Sequence, residues 1–153
     1  MTMRRSVLLS MSTAGMAAAL LSTAPFAAAE APEEARLAAC DIGVVLSEYD
    51  YTDLDAYAQR VLERSTGEWY AEFSSSFPEL RDRMRAVEVR STAGEVRCGT
   101  LSGDATRAEV LVHLRQDLRK AATNGQVESQ QVVMVMVLEN VGGRWLVSRV
   151  TAA

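Results

Sequence analysis

Histidine, cysteine, lysine and proline are nearly missing from this chain, and each shortage removes a class of function. His113 is the only histidine, and Cys40 and Cys98 are the only cysteines among 153 residues. They supply no cluster at zinc spacing, and no Asp-x-Asp-x-Asp-Gly loop offers a calcium site, so neither a metal nor a cofactor is expected. The glycines never fall into Gly-x-Gly-x-x-Gly or a phosphate-binding loop, and no serine or cysteine nucleophile motif occurs. Lys120 is the only lysine and the net charge is −4, a balance that excludes nucleic acid as an electrostatic partner.

Acidic residues are wholly absent before Glu30, whereas Arg4 and Arg5 stand near the start. An uncharged run follows, from Val7 through Leu20 and Leu21, ending Ala27-Ala28-Ala29. That layout is a secretory signal with cleavage after Ala29, or else an N-terminal anchor, since the run is just long enough to span a bilayer. Either reading places residues 30–153, a single domain, outside the cytoplasm. Export gives the cysteines a meaning: Cys40 and Cys98 are expected to form a disulfide, the alternative being two buried thiols acting as small hydrophobes.

Pro32 with Glu33 and Glu34 opens a first helix, proline suiting the first turn and the carboxylates its positive end. Ala38, Ile42, Val45 and Tyr49 form its expected core row, with Asp41 on the neighbouring row. A corner, Tyr49 to Asp53, leads to a second helix carrying Leu54, Tyr57, Val61 and Leu62. Glu68 to Arg85 resumes helix, with Trp69, Phe73, Phe77, Leu80 and Met84 three or four apart; Pro78 is expected to kink or break it.

From Ala86 the period becomes two. Val87, Val89, Ser91 and Ala93 share a face, and Val96, Cys98 and Thr100 continue it only across a bulge near Gly94. Val110, Val112 and Leu114 form the inner side of the next strand, with Leu111, His113 and Arg115 outside. The strand from Gln131 to Leu138 is apolar on both sides, so Val132, Met134, Met136 and Leu138 are read as an interface for a homodimer or an envelope protein. A last strand, Arg144 to Val150, carries Trp145. Helices first and strands afterwards give an α+β fold, with three N-terminal helices packed on a bent antiparallel sheet of about four strands.

The segments EYDYTDLDAYAQRVLERSTGEWYAEF, RAEVLVHLRQ and GGRWLVSRVTAA resemble the Mce-associated membrane proteins. That resemblance implies an NTF2-like cone and a non-enzymatic accessory role beside Mce-type lipid-import transporter subunits in the cell envelope. It also implies an apolar cone interior, for which Tyr49, Tyr51, Trp69, Phe73 and Trp145 are the pocket-lining candidates, either admitting a lipid or sterol or filling the space themselves. The fold also hosts ketosteroid-isomerase-like and SnoaL-like enzymes, and for such chemistry the candidate groups are Asp41, Asp50, Tyr49, Tyr51 and His113. His113 alternates with Val112 and Leu114 and so points away from the interior, and a helix cap or turn explains Asp50. No catalytic residue is assigned.

Overall fold

The computed structural model describes residues 30–153. The signal or anchor read in residues 1–29 lies outside the described residues. The elements run α1 (Glu33–Ser47), β1 (Tyr49–Asp50), α2 (Leu54–Leu62), α3 (Gly67–Ala86), β2 (Arg90–Gly103), β3 (Arg107–Arg119), a 3-10 turn (Ala121–Thr123), β4 (Glu128–Val141) and β5 (Arg144–Ala152). The strands form one antiparallel sheet in the order β1-β2-β3-β4-β5.

The expected NTF2-like cone of three helices on about four strands is therefore corrected. The sheet has five strands and curls into a half-barrel, and a 3-10 turn adds a fourth helical element among the described residues. The extra strand lies inside the helical half of the chain. Tyr49 and Asp50, read as a corner, extend far enough to pair with Ser91 and Arg90. Pro78 does not break α3. It removes one bond to the Ser74 carbonyl, but both residues are on the solvent side, where water can satisfy that carbonyl.

Strict alternation in β3 buries Ala108, Val110, Val112 and Leu114 under α1. The register then sets Met136 opposite Val110, Met134 opposite Val112 and Leu138 opposite Ala108. The face of α1 that meets them is Ala35, Ala39, Ile42 and Gly43, a stripe that shares Ile42 with the expected row, whose other members Ala38, Val45 and Tyr49 are half-buried. Small side chains permit this approach. At Gly43 an added Cβ would lie 2.7 Å from Val112 Cγ1. A second cluster, Leu54, Tyr57, Val61, Phe73, Phe77 and Met84, binds α2 to α3. Leu46 and Trp69 touch both clusters and join them into one interior.

Cys40 on α1 and Cys98 on β2 are joined by a disulfide, their Cα atoms 5.9 Å apart. Among the described residues no helix is long and apolar enough to cross a membrane.

Candidate functional site

The residues expected to line a pocket separate into two groups. Tyr49 and Phe73 flank Tyr57, a residue on the buried side of α2, and Trp69 joins them through Phe73. The Tyr57 ring lies 5.5 Å from Tyr49, 6.2 Å from Phe73 and 6.1 Å from Phe77, the first two contacts edge-on. Trp69 and Phe73 are 5.9 Å apart. These are the geometries by which aromatic rings pack one another. Tyr51 stands elsewhere, under the Arg90 guanidinium at 5.2 Å. Trp145 packs half-buried against the α1 cluster.

Burial dominates the chemistry of the two inner tyrosines. The Tyr57 hydroxyl donates to the Leu46 carbonyl at 3.0 Å, and desolvation raises its ionisation well above the ordinary phenol value, with the neighbouring Tyr49 adding to the rise. Desolvation also raises Tyr49, opposed by hydrogen bonds with Ser91 and Gln116. Gln116 is buried, and its amide nitrogen lies 3.4 Å from both the Tyr49 hydroxyl and the Ser47 carbonyl while its oxygen accepts from Gln130 at 2.7 Å. The buried Gln116 amide thus has partners at both its nitrogen and its oxygen.

The acid–base candidates are dispersed. Asp41 is exposed and accepts from Arg64 Nε at 2.8 Å. Asp50 accepts from the backbone and hydroxyl of Thr52, bonds that hold its carboxyl below the usual range, and from Arg90 Nε at 2.8 Å. It therefore serves the turn into α2. His113 is exposed on the convex face, its Nε2 2.8 Å from Gln131 Oε1. The three stand apart from one another, although Asp50 shares a surface groove with Tyr49 and shares Arg90 with Tyr51. Among the described residues no three His, Cys, Asp or Glu side chains converge as metal ligands. A surface groove of about 390 Å³ runs past Glu48, Tyr49, Asp50, Arg60, Arg90 and Arg119, and its rim carries charges of both signs.

The expected interface on β4 is corrected as well. Met134, Met136 and Leu138 are core residues beneath α1, and Val132 packs half-buried against the same cluster. The other side of the strand is Val133, Val135 and Val137. Val137 is buried and the other two are half-buried, with Glu109 and Arg149 flanking Val137 in register. Long polar side chains thus shield much of this face within a single copy.

No family model matches the chain, and no curated protein sequence matches it. Solved structures of similar shape exist, and they define its class by fold alone. The periplasmic domain of DotI superposes with a TM-score of 0.61 at 14% identity, over 77% of this chain and 91% of that one. The intermembrane space region of the chloroplast protein ARC6 gives 0.53 at 12%, over 78% and 92%. A periplasmic fragment of TraM gives 0.50 at 8%, over 78% and 94%.

Proposed function

We propose that the protein is an exported, non-enzymatic accessory domain of the cell envelope that works by contacting other proteins. The observation that carries this reading is the filled concave face of the sheet. At Gly43 the helix lies too close to β3 to admit even a methyl group without displacement, and Tyr57, Phe73 and Phe77 pack in a second buried cluster that joins the first through Leu46 and Trp69. An interior so packed leaves the surface as the working part. The Cys40–Cys98 bond supports an oxidising compartment. The periplasmic and intermembrane-space origins of the structural neighbours agree with it. The finer assignment, accessory to Mce-type transporter subunits, rests on the corner, strand and C-terminal segments quoted above.

The test is a crosslinked pull-down of the full chain from its native envelope, followed by mass spectrometry. Transporter subunits of the Mce type are the expected companions. Other envelope proteins would keep the accessory role and remove the Mce assignment. Recovery of the chain alone with a bound lipid or sterol would overturn the reading in favour of a small-molecule carrier.

A further inference from the structure

Strand β2 is the open side of the sheet. β1 covers it only at Arg90 and Ser91, and along residues 92–103 no strand lies beside that flank among the described residues. Two register shifts, between Ala93 and Val96 and between Thr100 and Ser102, leave a regular stretch at residues 96–100. The Cys98 carbonyl accepts from Arg36 Nη1 at 3.3 Å, so Cys98 directs its backbone groups away from β3. By the strand's period of two, Val96 and Thr100 do the same, while Arg97 and Gly99 bond to β3. An unpaired flank of this kind is a template for another strand.

We propose that the occupant is a second copy of this chain, its β2 lying antiparallel across a two-fold axis at Val96. Two features select that register. The Cys98 carbonyl already has a donor, and of Val96 and Thr100, each at the edge of a register shift with backbone groups unengaged outside the sheet among the described residues, Val96 alone sets opposite charges across the axis. With Val96 facing its equivalent, Glu95 stands opposite Arg97 of the second copy and Arg97 opposite its Glu95, two pairs related by the axis. A shift of one residue towards Cys98 would instead set the two Arg97 side chains against each other. In a single copy Arg97 and Glu95 pair with one another at 2.6 Å, both largely exposed, so exchanging partners across the axis disturbs nothing buried. The pairing does not depend on which envelope protein the domain serves.

The experiment is sedimentation of the full exported chain over a dilution series, with amide exchange read at Val96. The wild type is expected to double in mass at high concentration and to protect the Val96 amide only there. Glu95→Arg should weaken the dimer roughly tenfold or more by opposing like charges, and E95R/R97E together should restore it. Val96→Pro removes an outward donor that β3 does not use, so it should stay folded by circular dichroism and remain single. A single-copy mass at every concentration would overturn the proposal, as would a dimer indifferent to E95R. Protection of Val96 in the monomer would overturn it too, giving the flank to another segment of the chain.

Discussion

Gly43 and Tyr57 show how single residues set the limits of the interior. Gly43→Ala would bring a methyl group to within 2.7 Å of Val112 Cγ1, and overpacking of this kind costs roughly 1–3 kcal/mol. Urea denaturation should show that loss, and adding Val112→Ala should recover part of it by making room. For Tyr57 the expectation concerns pH. Burial raises the folded-state ionisation of Tyr57 and Tyr49 above the ordinary value of 10.0, so their contribution to stability is complete below that value and is lost as pH rises beyond it. Tyr57→Phe should flatten the alkaline limb of the stability profile, while losing roughly 1 kcal/mol at neutral pH with the bond to Leu46. A spectroscopic titration finding every tyrosine ionising near 10 would contradict this account. At this scale the sequence is legible where chemistry constrains it: two lone cysteines after a signal-like start point to a disulfide ahead of two buried thiols, and the structure joins them. It was opaque where small residues mattered, because Ala35, Ala39 and Gly43 look too weakly apolar to mark a core stripe, yet their size is what lets α1 reach β3.

Among the elements, β4 is the instructive case. Its hydrophobes occupy both faces, so a period of two identifies a strand without saying which phase points inward. The register with β3 decides it, setting Met134 and Met136 against Val112 and Val110 under the helix. Met136→Glu should accordingly unfold the domain, a buried unpaired carboxylate costing roughly 3–5 kcal/mol or more. Val135→Glu, on the half-buried convex face, should cost roughly 1 kcal/mol and preserve a cooperative transition. Thermal melts of the two variants separate the faces; equal damage would mean that the phase is wrong. β1 was hidden for a different reason. Two residues carry no periodicity, and Tyr49 and Asp50 become a strand only because Ser91 and Arg90 arrive beside them. The α3 helix survives Pro78 because the bond it forfeits faces water, a matter of orientation that spacing alone does not reveal.

At the scale of the whole molecule, the disulfide ties the helical layer to the sheet. Cys40 and Cys98 are separated by 58 residues, and closing so long a loop stabilises the folded chain by roughly 4 kcal/mol in the chain-entropy treatment. Cys40→Ala, or reduction of the wild type, should lower the denaturation midpoint by an amount of that size, and an unchanged midpoint would show that the cross-link is not formed in solution. The α+β division was readable from the change of hydrophobic period after Ala86. The mutual packing of Tyr49, Tyr57, Phe73 and Phe77 was not, since helical spacing does not say which rings meet across two helices and a strand. The claim that matters most is that the interior is closed and the surface does the work. It is tested most directly by placing a photo-crosslinking amino acid at Trp69, which bridges the two core clusters, and at Tyr70, Arg97 and Val135 in turn, on the outer surfaces, in the full chain in its native envelope. Protein adducts of defined mass from one or more outer positions, with no lipid adduct from Trp69, are the result this account predicts. Lipid captured at Trp69, with no protein captured outside, would contradict it.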